Sequence, residues 1–541
     1  MRAATTALIL LAFLSTGTAL AGPGDKFLDL ADVHMRHRDF ASALSYYDRA
    51  IAAEPGNILA RLGRIEAVRR SGKDPLPESE QAWSEDPADP ARTVAYASLL
   101  PPEKALEVLS KVTASDFYAS LVKVRALRAL GRGETSAEAA IAEGKCPPKD
   151  PRALALLAGY YEEAERYDKA VDLYGRALEA DPRRIEALVG QANALRFLGR
   201  FEEAVKVLES AAKLDKEDPE IPYRLGLVHI SAGSGEPAVK ALLDALGLAK
   251  DQVDVILALG DAQLLLGRTT EAESLFAKAV ELAPRRVDAR RRYGYALDLV
   301  EKNDEALEQY QQLMKIDPMN APGRVAIGWI FAKKGKFDEA LKEFRQAADL
   351  NPKDPVAPFF VGYTFDLMGK WGEAVEAYEK VTKKFPTYAR AWNNLGLDHD
   401  LLGKGSAALT CVKKAVDLDP DNSEYLVNLG NVYYNAKKFK EAVDVFSKLV
   451  DQDPAAVFGW TGLGRSLNQI RRFKEAADAY EKAIALVPDQ SDLHLLVAII
   501  YHESLKDYKQ ALAHYEEYIR LGGDDPVVQG WMEEARAKLG K

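Results

Sequence analysis

The feature that most constrains this chain is a period of 34 residues. From 151 to 490 it divides into ten units of that length without an insertion or deletion. The twentieth position is alanine in all ten units: Ala170, Ala204, Ala238, Ala272, Ala306, Ala340, Ala374, Ala408, Ala442 and Ala476. The eighth is always small, Ala158 and Ala192 and then glycine from Gly226 to Gly464. Proline fills the thirty-second in eight of ten, missing at Lys216 and Lys250. A unit this short cannot bury its own apolar face, so neighbours must stack to build a continuous core.

Within a unit, positions 4, 7, 8 and 11 share one helical face, because residues three and four apart are neighbours on a helix. In unit 389–422 these are Trp392, Leu395, Gly396 and His399, and a second helix follows with Ala408, Val412 and Ala415. A glycine inside a helix costs about 1 kcal/mol relative to alanine. Close approach of the two helices offsets that cost. Asp-Pro pairs such as 419–420 and 453–454 end the second helices, since proline lacks an N–H and disfavours helix at the residue before it. The expected class is all-α.

This pattern resembles the tetratricopeptide repeat (TPR), W-x2-L-G-x2-Y, then A-x3-F, then P. It stands here as Trp392, Leu395, Gly396, His399, Ala408, Val412 and Pro420. His399 and Val412 replace aromatics. The resemblance implies an α-α solenoid, or superhelix, of about 14 TPR-like helix pairs. Residues 22–57 read as an N-terminal TPR, with Leu30, Ala43, Tyr47, Ala50 and Pro55 in place. Residues 58–150 are interrupted by proline and out of phase, and read as divergent helical repeats. The regular array covers 151–525, its last unit carrying one extra residue near Lys506. Residues 526–541 read as the C-terminal capping helix that such arrays need for solubility.

The first 21 residues have a different character. Arg2 precedes the apolar run 7–14, and small residues end at Ala19-Leu20-Ala21. That is the layout of a secretory signal peptide, with cleavage after Ala21. The apolar run is too short to span a bilayer, which takes about 20 residues. The expectation is an exported protein, periplasmic or secreted, with no direct membrane span. Cys146 and Cys411 show no metal-binding spacing and read as thiols.

The formal charge is −10, with acidic and basic residues interspersed. Nucleic acid is not an expected partner, since its phosphates call for clustered Lys and Arg. No phosphate-loop motif occurs: GKGSAA (403–408) lacks the spacing, and the glycines at 462–464 belong to the repeat. His34 and His37 lie three apart but have no third ligand. No room is left for a catalytic domain, so no enzyme, cofactor or metal is expected.

Positions 2, 5, 6, 9, 12 and 13 form another face of the first helix. The TPR resemblance implies that this face lines a concave groove for peptides or extended segments. Its candidate residues are Arg291, Tyr295, Trp329, Phe359, Tyr363, Asn393, Asn394, Asn428, Asn431 and Arg465. Tyr295, Trp329 and Tyr363 form an aromatic row at position 9, of the kind that marks contact sites. The asparagines carry both donor and acceptor, which suits peptide amides. The expectation is a non-enzymatic exported scaffold or adaptor that binds proteins, in assembly or positioning of a cell-envelope complex. The alternative is a carbohydrate-binding adaptor in polysaccharide export, with aromatic and amide side chains on sugars.

Overall fold

The computed structural model describes residues 24–110, 117–130, 146 and 149–540. Residues 1–21, read above as a signal peptide, lie outside the described residues. The described residues form helices joined by short turns, with no strand among them. None of these helices is long and apolar enough to cross a membrane.

The chain forms two compact units, Met1–Val300 and Glu301–Lys541. In the first, Asp25–Arg36 and Phe40–Ala53 make a helix pair. Among the described residues, five further helices follow, from Ile58–Arg70 to Phe117–Ala129, in the stretch read as divergent. Regular pairs then run from Pro151–Glu163 with Tyr167–Ala180 as far as the helix Val287–Leu299. The second compact unit opens with Asn303–Ile316 and repeats the pairing up to the helix Pro526–Lys538. Within each, a helix packs on its successor, and first helices of successive pairs also touch. This is nearest-neighbour packing of a solenoid.

One backbone feature recurs in all ten regular units. Position 15, between the two helices, has positive φ: Gly199, Gly233, Gly267, Gly335, Gly369 and Gly403, but also Glu165, Glu301, Lys437 and Arg471. The residue after it donates back to the helix, as Lys404 N–H does to the His399 carbonyl at 2.8 Å. That is the left-handed helix stop for which glycine is best suited.

The period has a packing explanation. The large residue at position 24 on the second helix sits on the small residue at position 8 of its own unit. A Cβ placed on Gly430 would meet the Phe446 ring at 2.5 Å, and on Gly464 the Tyr480 ring at 2.9 Å. The same ring also reaches position 6 of the next unit: Phe446 lies 2.4 Å from where a Cβ on Gly462 would stand. Gly396 is the tightest case, because its neighbours include backbone. A Cβ there would lie 3.0 Å from the Val412 nitrogen and 3.1 Å from the Ala408 carbonyl oxygen. Gly396→Ala is therefore expected to destabilise the array by about 1–3 kcal/mol, overpacking outweighing the propensity gain. Urea denaturation checks this; a gain in stability would contradict it.

At the C-terminal end, the extra residue near Lys506 is absorbed as a π-helical turn, Ile500–Leu505, closed by Lys506 at φ +57°. Single π-turns are how helices accommodate one inserted residue. The last helix buries Val528, Met532 and Ala535 beside Tyr515 and Tyr518. Trp531 is half-buried against that core, and the outer face, Glu533, Arg536 and Lys538 among it, is exposed. No disulfide joins Cys411, which is buried, to Cys146. Burial pushes the Cys411 thiol up to about 11.

Candidate functional site

Position 9 of the first helix is where large and polar side chains reach solvent. In the second compact unit it carries Trp329, Tyr363, Leu397, Asn431 and Arg465. Trp329 and Tyr363 are half-buried, with ring centroids 6.1 Å apart, and Phe360 lies 5.7 Å from Trp329. Further along, Arg465 is exposed, donates to Asn431 Oδ1 at 2.9 Å and lies 4.0 Å over the Tyr434 ring. Asn435 donates to Asp400 at 2.7 Å. The row thus changes from aromatic to amide to guanidinium. Tyr295 and Arg291, both exposed, belong to the first compact unit.

Two residues expected on the groove face are elsewhere. Phe359, at position 5, is 1% exposed: Tyr378 and Tyr388 enclose it at 5.4 and 5.6 Å, and the Arg390 guanidinium covers it at 4.9 Å. It is a core residue. Asn393, also at position 5, is 1% exposed. It donates to Asn394 Oδ1 at 3.2 Å and accepts from Asn428 at 3.0 Å. Asn394 in turn donates to the Tyr378 hydroxyl at 3.2 Å, and that hydroxyl donates to Asp366 at 2.5 Å. These asparagines grip one another and join three successive units by a polar chain. The reason is geometric. Position 6 faces the position-24 side chain of the preceding unit, so Asn394 meets Tyr378 and Phe360 stacks on Phe344 at 5.2 Å. Position 6 serves inter-unit packing. Asn394 and Asn428 remain half-buried, with an edge to solvent.

The polar chain ends at two carboxyls. Asp398 is 3% exposed and lies close enough to Asp366 to feel its charge. Burial, and then the nearby Asp366, push Asp398 up to about 8. Burial also raises Asp366, opposed by the hydrogen bond from Tyr378. Two buried acids side by side disfavour a second negative charge, so Asp398 keeps its proton to higher pH.

Sequence reasoning missed a second site, in the first compact unit. A cavity of about 670 Å³ lies between residues 28–70 and the first-helix faces of units 151–252. Leu28, Met35 and Leu59 form one wall, and Leu156 and Val189 the other. Its charged lining includes Asp32 and Asp218, both raised to about 6, chiefly by burial. His37, considered above as a metal ligand, instead pairs with Asp215 at 2.9 Å, and His34 with Asp39 at 3.1 Å. The visible signal was the set of alternating charges at positions 2 and 34: Arg152, Arg184, Glu186 and Asp218.

A stack of helix pairs whose first helices carry a side-chain row that reaches solvent defines a helical-repeat scaffold. Family models described as tetratricopeptide repeat match residues 28–76, 105–185, 257–321, 368–397, 398–457 and 461–526, and others of that description match 161–221 and 321–354. The chain belongs to the tetratricopeptide repeat family. Solved structures similar to it include Cut9 with Hcn1 from the APC/C, at 16% identity over 97% of this chain and 98% of that one, TM-score 0.43. Yeast Tom70 is 17% identical over 77% of this chain and 99% of its own, TM-score 0.42. YrrB, described as a TPR protein with an unusual peptide-binding site, is 24% identical over 35% and 96%, TM-score 0.29. No curated protein sequence matches the chain.

Proposed function

We propose that this protein is a non-catalytic adaptor that binds an extended segment of a protein partner along the position-9 row of its second compact unit. The observation that supports this reading is the solvent-reaching row itself. Trp329 and Tyr363 supply apolar anchors, and Asn431 and Arg465 supply polar contacts further along. Aromatic residues and arginine are the side chains that most often dominate binding energy. Tyr295 and Arg291 offer the same chemistry on the first compact unit. Asn394 and Asn428 contribute their exposed edges, while Asn393 and Phe359 support the row from within.

The leader at 1–21 supports export, and with it a role in assembling or positioning an envelope complex outside the cytoplasm. N-terminal sequencing of the envelope fraction should find Gly22 first; a retained Met1 removes this part of the reading.

The binding row is tested by capturing a partner from envelope extract and titrating it against variants. Trp329→Ala is expected to weaken capture by about 30-fold, corresponding to roughly 2 kcal/mol for an aromatic anchor. Asn428→Ala should cost less, on the order of 1 kcal/mol. Far-UV circular dichroism should stay unchanged in both. Equal affinity of wild type and Trp329→Ala, with folding intact, would place the contact elsewhere.

A further inference from the structure

The helix Asp25–Arg36 carries Asp25, Asp29, Asp32 and Arg36 at spacings of four, three and four, hence on one face. That face meets residues more than a hundred positions away. Arg152 pairs with Asp29, and reaches Asp25 at 3.4 Å and Asp32 at 3.7 Å. Arg184 lies 3.9 Å from Asp29. At the other end Arg36 pairs with Glu186 and lies 3.8 Å from Asp215 and 4.0 Å from Asp218.

The charges are ordered on both sides. Positions 2 and 34 of unit 151–184 are both arginine, and in unit 185–218 both are acidic. The helix presents acid first and arginine last, so each block meets its opposite.

Apolar packing does little at this contact. The core that includes Leu28, Met35 and Tyr47 is drawn from residues 27–67 alone. The core at the start of the regular array begins at Phe117. Between them stands the cavity of about 670 Å³, which is open to solvent. The contact is an ionic rim beside an open groove. The pairs made by Asp25, Asp29 and Glu186 are partly exposed, so they hold weakly and salt screens them. The helix packs on Phe40–Ala53 through Leu28, Ala31 and Met35, and the shared chain gives this pair a high effective concentration at the array edge.

We propose that the edge formed by Arg152, Arg184, Glu186 and Asp218 is a docking surface for a helix with acidic residues at i, i+4 and i+7 and arginine at i+11. The chain's own helix Asp25–Arg36 is its resident occupant. A partner protein's helix with the same order of charges displaces it. This site lies in the first compact unit and is independent of the row at Trp329.

The probe is a fluorescent synthetic peptide of residues 24–38, titrated against the full chain in 50 mM salt. Asp25→Lys with Asp29→Lys in the chain loosens the resident helix and leaves the array edge intact. This variant should bind the peptide at least tenfold more tightly than wild type. Adding Arg152→Glu and Arg184→Glu should abolish that gain. Equal affinity of wild type and the first variant, or binding that survives the second pair of changes, overturns the proposal. A second measurement uses the unaltered chain, so that it does not depend on the variants folding. Raising salt from 50 to 500 mM should accelerate amide exchange in 25–36 and leave 151–163 unchanged. Exchange in 25–36 that is indifferent to salt also overturns it.

Discussion

Phe446→Ala is expected to destabilise the second compact unit by about 3–5 kcal/mol, the range for deleting a buried phenylalanine side chain. Phe446 is fully buried, on the helix Phe439–Gln452. Its ring stands against two glycines at once, Gly430 in its own unit and Gly462 in the next. Neither glycine has a side chain to move into the space left by the ring. The surrounding helices can close it only by sliding their backbones, which the turns at Lys437 and Arg471 oppose. Because each unit leans mainly on its neighbours, the loss stays local. Urea unfolding should develop an early transition covering the units around 423–490 instead of a uniform shift of one midpoint. Circular dichroism and the fluorescence of Trp460 together report it. A single transition at the wild-type midpoint would refute the wedge as a stabilising contact.

Asp398→Asn is expected to stabilise the protein, and to do so in a pH-dependent way. Asp398 is raised to about 8 by burial and by Asp366, whereas an unfolded aspartate titrates near 3.9. Between those values the folded chain holds a proton that the unfolded chain has released. Stability from this group is therefore fully present below about pH 4 and falls as pH rises to about 8. In the Asp398→Asn variant an uncharged amide replaces the buried carboxyl and can donate to Asp366, whose Oδ1 has no partner. The gain at pH 8 should be on the order of 2 kcal/mol, shrinking to near zero at pH 4. Denaturation midpoints measured at pH 4, 6 and 8 check the slope. A gain equal at all three would mean that Asp398 is not raised in the folded chain.

The period made the fold legible. Alanine at position 20 and glycine or alanine at position 8 are where helices come closest, and a side chain of any size there would push them apart. Such a requirement repeats with the unit, so one sequence is enough to see it. The left-handed turn at position 15 was visible as six glycines and passed unread. Glu165, Glu301, Lys437 and Arg471 occupy the same conformation and hide the pattern.

The candidate site was less legible, because surface and core share the same helical positions. Asn394 and Asn428 look like groove residues by spacing. Both are held half-buried by what the preceding unit offers, the Tyr378 hydroxyl for Asn394 and the Asn393 amide for Asn428. Phe359 is buried for a like reason: Tyr378 and Tyr388 close over it from neighbouring elements. The pairing of Asp25, Asp29 and Arg36 with Arg152, Arg184 and Glu186 lay further out of reach. The charges stand plainly in the sequence, and periodicity names no partner across more than a hundred residues. The sequence by itself determined the helix pair and its repetition, because those follow from contacts between residues a fixed short distance apart. Only the tertiary structure decided which polar side chains are open and which are occupied, because that depends on contacts whose separation in the chain no local rule sets.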